Sequence, residues 1–156
     1  MNKIIKFENA KDIITKIRKK KKVVFTNGCF DILHIGHARY LKEAKDCGDI
    51  LVVGLNSDDS VKRLKGDARP IISENDRAEM LSHLESVDFI VIFNDDTPIN
   101  LIKVINPDVL VKGGDWKIDQ IVGSKIVLEN GGEVKSLSFI DGISTSKIIE
   151  KIQKMR

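Results

Sequence analysis

Short β-branched runs alternate with helical periods along most of the chain, and that alternation leaves few architectures open. Val23-Val24-Phe25-Thr26, Ile50-Leu51-Val52-Val53-Gly54-Leu55, Phe89-Ile90-Val91-Ile92-Phe93 and Val109-Leu110-Val111 read as strands, with Val134-Lys135-Ser136-Leu137 as a weaker fifth. Near-continuous apolar runs of this length are the mark of strands buried on both faces. Between them, residues 36–46 place Tyr40, Leu41 and Ala44 on one helical face. Residues 74–85 follow Ser73, with Asp76 three positions on, which approaches a capping box. Thr97-Pro98 suits the start of a helix over 98–105. Residues 119–129 run up to the stop signal Gly131-Gly132, and a last helix is expected over 144–153. Strands alternating with helices imply right-handed crossovers. The expectation is a single α/β domain over 1–156, with a Rossmann-like, doubly wound, parallel five-stranded sheet. Residues 1–20 are expected as a helix outside the fold proper, which spans 22–153.

Composition agrees with a packed, water-soluble domain: of 156 residues, 42% are hydrophobic and 31% charged. The formal net charge of +3 does not demand nucleic acid as a partner. Part of the excess sits in Arg18-Lys19-Lys20-Lys21-Lys22, which reads as a solvated helix end or as a surface for an anionic partner. No run approaches the ~18 apolar residues of a membrane span, and the first residues carry no apolar stretch of signal-peptide length. Two cysteines do not make a disulfide scaffold; a cytoplasmic location with both thiols reduced is the expectation. Base rates for symmetric assemblies suggest a homodimer.

In a doubly wound sheet, ligands bind beyond the carboxyl ends of the strands. After the first strand comes Thr26-Asn27-Gly28-Cys29-Phe30-Asp31-Ile32-Leu33-His34-Ile35-Gly36-His37. Asn27-Gly28 allows a tight turn, and Gly36 lets a ligand approach the backbone where the next helix begins. That helix start offers free N–H groups and a positive dipole end. His34 and His37 are three apart and share one helical face. Three roles are open to them on spacing: buried structural residues, a metal pair short of a third ligand, or donors to phosphoryl oxygens. After the fourth strand, Lys112-Gly113-Gly114-Asp115-Trp116 suggests close approach of a ligand to backbone. Ser144-Thr145-Ser146 opens the last helix with three hydroxyls after Asp141-Gly142, a pattern suited to phosphate. Cys29 reads as a packing residue, with no base evidently paired to it.

Taken together, TNGCFDILHIGHARYL at 26–41 resembles the nucleotidyltransferase superfamily marked by His-x-Gly-His, the cytidylyltransferase-like fold, in the variant of bacterial heptose 1-phosphate adenylyltransferases. The resemblance continues through LNSDDSVKRLKGDARPI at 55–71, RAEML at 77–81, VDFIVIFNDDTP at 87–98, PDVLVKGGDW at 107–116, GGEV at 131–134 and DGISTSKIIEKI at 141–152.

The resemblance implies that a sugar 1-phosphate oxygen attacks the α-phosphorus of ATP in line, releasing pyrophosphate, without a covalent enzyme intermediate. It implies His34, His37 and Lys65 as catalytic. Thr26, Asn27, Gly28, Phe30, Asp31, Gly36, Gly113, Asp115, Ser144, Thr145 and Ser146 would form the nucleotide site, with Asp31 positioning substrate or a magnesium complex. Lys65 is expected in a flexible cationic loop, Arg63 to Pro70, that closes over both substrates. Arg69, Arg77 and Trp116 are candidates for the sugar phosphate; each arginine is equally readable as a surface charge, and Trp116 as core. No protein metal site is expected, and Mg2+ enters only as the ATP complex. Many superfamily members carry an arginine further into the last helix, where Lys147 stands. The product would feed lipopolysaccharide core or another surface glycan, and a separate sugar kinase would supply the heptose 1-phosphate. A glycerol 3-phosphate cytidylyltransferase is the alternative. Its arginine before the last motif is unmatched, with Phe139 and Ile140 in that stretch. A non-catalytic nucleotide-binding module is the third reading.

Overall fold

The computed structural model describes residues 1–138 and 141–156; the comparison resting on Phe139 and Ile140 therefore lies outside the described residues. One parallel sheet carries the chain, with helices on both faces. In chain order the elements are β1 (Ile4–Ile5), α1 (Phe7–Arg18), β2 (Val23–Gly28), α2 (Ile35–Lys45), β3 (Ile50–Asn56), α3 (Asp58–Lys65), α4 (Glu74–Ser82), β4 (Phe89–Phe93), α5 (Ile99–Ile105), β5 (Val109–Gly113), a 3-10 turn (Ile118–Gln120), α6 (Ser124–Glu129), β6 (Glu133–Leu137) and α7 (Thr145–Gln153). The strand order is β1-β4-β3-β2-β5-β6.

The sheet has six strands, where the sequence led us to expect five. The extra strand is Ile4–Ile5, paired in parallel with Ile90 and Val91. It lies within the segment expected to be wholly helical. The helix that follows is not peripheral either: Ala10 and Ile14 are buried against Phe25, Val91 and Leu101. Alternation along each strand divides the core into two layers. Phe25, Val52, Val91 and Leu110 pack toward α1, α5 and α6. Val24, Leu51, Val53, Ile90 and Val109 pack toward Leu41 and Ala44 of α2 and Ala78 and Leu81 of α4.

Two other expectations change. The segment Arg63–Pro70 is not wholly loop, because residues through Lys65 belong to α3. That helix is capped by Ser57, whose side chain accepts from the Ser60 amide; Asp58 and Asp59 open it and Lys62, Arg63 and Lys65 end it. Acid first and base last is the arrangement the helix dipole favours. The helix expected over 119–129 is broken in two at Gly123, which has φ +87. A Cβ there would lie 2.4 Å from Ile102 Cδ1, so the chain turns where only glycine fits. Thr97 does not cap α5; Pro98 takes the cap position without a side-chain bond.

Candidate active site

The chain runs from β2 outward through β3 to β4, then crosses back to place β5 on the other side of β2. The reversal opens a crevice beyond the carboxyl ends of β2 and β5, where ligands of such sheets bind. A cleft of about 800 Å3 occupies it, lined by Asn27, Gly28 and Cys29 from β2 and its turn and by Lys112 and Gly113 from β5. That size falls in the range of small-molecule sites.

The turn after β2 is held in an unusual shape. Phe30 and Ile32 both have φ 49, in the left-handed region. A β-branched residue there is strained and needs support. Asp31 between them, 1% exposed, supplies it. Its Oδ2 accepts from Arg69 Nε at 2.8 Å and the Ile71 amide at 2.7 Å, and its Oδ1 accepts from the Ile72 amide at 2.9 Å. Burial alone would raise its pKa, but the Ile71 and Ile72 amides and the Arg69 guanidinium together hold it below the ordinary value. The Asp31 carboxylate is therefore committed to tying the strap 69–72 to the floor of the cleft. This corrects its expected role toward substrate or magnesium. Arg69 lines the cleft while one edge of its fork is held by Asp31.

His34 caps α2. Its Nδ1 accepts from the Gly36 amide at 3.1 Å, and the His34 amide donates to His37 Nδ1 at 3.3 Å. The two rings stack with centroids 3.9 Å apart. Because both Nδ1 atoms accept, both rings are neutral with the proton on Nε2. Burial lowers the His34 pKa, and burial followed by the His34 neighbour lowers that of His37 to about 4. The site thus offers two uncharged Nε2–H donors in the wall of the cleft. Gly36 serves this arrangement directly: a Cβ there would sit 2.9 Å from the His34 ring. Its bareness makes room for the cap, not only for a ligand.

A titration checks this reading. Nitrogen-15 NMR of the free protein at pH 6 is expected to show His37 with Nδ1 bare and Nε2 protonated, and protonation centred near pH 4. The folded pKa lies below the unfolded one, so the unfolded chain takes the proton first. Stability then falls as pH drops from about 6.5 toward 4. A midpoint at or above 6 would sink the assignment.

Several expected residues meet in the cleft: Asn27, Gly28, Phe30, Gly36, Lys65, Arg69, Gly113, Trp116, Ser144, Thr145 and Ser146 line it with the histidines. Trp116 is 47% exposed at the mouth, its indole N–H donating to Gly113 O, so it is not a core residue. Of the three hydroxyls opening α7, Ser144 accepts from the Lys147 amide as the cap, and Thr145 donates to Asp31 O at 2.8 Å. Ser146 and the free amides of the first turn remain to meet a ligand.

Three expected residues do not line the cleft. Thr26 is fully buried beneath it, its hydroxyl 2.6 Å from Tyr40 Oη. Asp115 is exposed and outside it. Arg77 is 2% exposed, and its donors go to Ile72 O, Cys29 O, Asn56 O and the Asp58 carboxylate. It is neither a sugar-phosphate ligand nor a surface charge; it fastens the ends of β2 and β3 to the strap. Tyr40 and Lys112 are among the cleft residues we did not select from sequence. Tyr40 was readable only as part of an apolar helical face. Lys112 interrupts an otherwise apolar strand, and that interruption was the available signal. Cys29 lines the cleft, but burial raises its thiol pKa, against a nucleophilic role.

Residues 25–151 match the family described as cytidylyltransferase-like. The chain belongs to that family. It is 57% identical over 132 residues to the bifunctional protein HldE of Citrifermentans bemidjiense, covering 85% of this chain and 27% of that protein. It is also 57% identical over 152 residues to the bifunctional protein HldE of Campylobacter concisus, covering 97% of this chain and 31% of the relative. The chain thus spans under a third of the length of these curated relatives. The crystal structure of a lipopolysaccharide core biosynthesis protein from Thermoplasma volcanium superposes with a TM-score of 0.63 at 34% identity, covering 77% of this chain and 97% of that one. A pantoate-beta-alanine ligase from Francisella tularensis, 15% identical with a TM-score of 0.61 over 97% of this chain and 77% of its own, shares the fold. Among the described residues, no helix is long and apolar enough to cross a membrane.

Proposed function

We propose that this chain transfers AMP from ATP to a heptose 1-phosphate, giving ADP-heptose and pyrophosphate, as a step toward lipopolysaccharide core or another surface glycan. The observation that carries the reading is the stacked pair of neutral histidines presenting Nε2–H groups at the switch-point crevice. The extended likeness to HldE proteins supplies the substrate class. The phosphate oxygen of the sugar forms a new bond to the α-phosphorus of ATP as the bond to the bridging oxygen breaks, and pyrophosphate leaves with that electron pair. Catalysis of this kind is positioning plus stabilisation of charge on the transferring group. His34 and His37 donate to the α-phosphoryl oxygens, Lys65 neutralises charge from the end of α3, and the first turn of α7 holds phosphate through its amides and Ser146.

Magnesium would be carried by the ATP phosphates and would supply neutralisation of charge on the pyrophosphate. Among the described residues no group of three or more acidic, histidine or cysteine side chains gathers to hold a metal ion. Of the four carboxylates lining the cleft, Asp31 is engaged with Arg69 and Asp96 with Arg63, and Glu43 and Asp141 stand apart from them. A kinase must supply the sugar 1-phosphate, and a homodimer in the cytoplasm is part of the same reading.

The test is pyrophosphate release by purified protein with magnesium, crossing ATP and CTP with both anomers of D-glycero-D-manno-heptose 1-phosphate and with glycerol 3-phosphate. Release is expected with ATP and one heptose anomer. Release confined to CTP with glycerol 3-phosphate would replace the reading with the cytidylyltransferase one. ATP binding without release from any pair would leave a nucleotide-binding module.

A further inference from the structure

Lysine is out of place in a buried parallel strand. β5 is Val109-Leu110-Val111-Lys112-Gly113, and its first three residues are at most 1% exposed. Lys112 is also half-buried, and it lines the cleft. Side chains alternate along a strand. Val109 and Val111 belong to the layer that packs on α2, and Leu110 belongs to the layer under α1, α5 and α6. Lys112, two residues beyond Leu110, therefore leaves the sheet on the face opposite α2, whose first turn carries the histidines. A ligand lying across the strand ends has His34 and His37 on one side and Lys112 on the other.

The charged neighbour that bears on Lys112 is Lys65, with the Cys29 thiol close by. Burial, and then Lys65, pushes the Lys112 pKa below the ordinary lysine value. Among the described residues no carboxylate forms an ion pair with either amine, whereas Arg63 and Arg69 each have one. Lys65, exposed, and Lys112, half-buried, line the same cleft, and among the described residues neither is ion-paired; like charges sharing a part-buried cleft are costly to hold. A dianion seated between them relieves that cost.

We propose that Lys112 and Lys65 form a two-pronged seat for the phosphate of the acceptor, so that the cleft selects a phosphomonoester dianion as the attacking group. This rests on the transferase reading above and adds to it the residue that recognises the acceptor. The face opposite the histidine-bearing helix, where Lys112 emerges, leaves the acceptor phosphate clear of the donors assigned to the α-phosphoryl oxygens. Lys112 also holds the acceptor dianion against the repulsion of the triphosphate.

The experiment uses Lys112→Met and Lys112→Arg. Methionine keeps the length and volume of the stem without the charge. Loss of one charge-assisted bond to phosphate is expected to raise KM for the heptose 1-phosphate about 10- to 100-fold, with KM for ATP within about twofold of the parent. Arginine is expected to restore most of the loss. In parallel, binding of inorganic phosphate and of ATP is measured by calorimetry without any acceptor sugar. Wild type should bind phosphate, and Lys112→Met should lose about the same factor while keeping ATP affinity. That arm stands even if no heptose phosphate is turned over, so failure of the transferase reading and failure of this one are distinguishable. A Lys112→Met protein that keeps wild-type phosphate affinity and acceptor KM overturns the proposal. So does one whose defect lies in ATP affinity.

Discussion

Replacing His37 with alanine is expected to lower kcat for pyrophosphate release by about 100- to 1000-fold, the loss typical when one preorganised donor to a developing phosphoryl or oxyanion charge is removed. The ring is half of a stacked pair 3.9 Å apart, and its Nδ1 is engaged by the His34 amide. Those contacts leave Nε2–H as its one outward donor. The structural cost is smaller: the variant loses part of a helix cap, about 1 kcal/mol. Thermal denaturation and steady-state kinetics on the same preparation separate the two effects. His37→Asn, which can still donate, should recover part of kcat. A His37→Ala protein with kcat within threefold of the parent would remove the histidine pair from the mechanism.

Arg77→Met is expected to act oppositely, with its main effect on the fold. The guanidinium serves three carbonyls and the Asp58 carboxylate from a position 2% exposed. Removing it strands those acceptors. Losing one partner of a buried pair costs about 3–5 kcal/mol. Asp58, 32% exposed, can draw some water, so the lower end applies. For a chain of this size that is a fall in Tm of roughly 6–12 °C. Arg77→Lys should rescue little, because one ammonium cannot reach four acceptors arranged around a planar fork. Unfolding followed by circular dichroism checks it, and a shift under 2 °C would mean the network is dispensable.

Arg77 also shows where sequence reading stops. Its chain position gave a charged residue on a helix, which water would welcome as readily as a phosphate would. Only the meeting of the ends of β2, β3 and the strap puts four acceptors around it, and that meeting is tertiary. Asp31 was misread for the same reason: a carboxylate beside the histidine-bearing turn looks like a ligand until its three donors from residues 69–72 are known. What could be read was local. The apolar runs at 23, 50, 89 and 109 gave four strands almost to the residue, and the segments following them supplied most of the cleft. β1 escaped because two isoleucines between polar neighbours carry no period. α3 escaped although Ser57, Asp58, Asp59 and Gly66 were all in view, because its eight residues hold only two apolar positions. The histidines were found from spacing and resemblance, but their tautomer came from two backbone amides.

The crossing from β4 back to β5 has a consequence for how the protein is assembled. β2 pairs with β3 and β3 with β4, neighbours near in sequence, whereas β5 docks on β2, as β1 does on β4, only after some eighty residues have been closed into a loop, pairing Val24 with Val109. Closure of long loops delays such contacts during folding. The cleft lies on the seam that this long-range pairing closes, between the side that holds the histidines and the side that holds Lys112 and α7. A molecule gripping both sides acts as a stitch across that seam. It stabilises the folded chain by mass action and resists separation of the two sides.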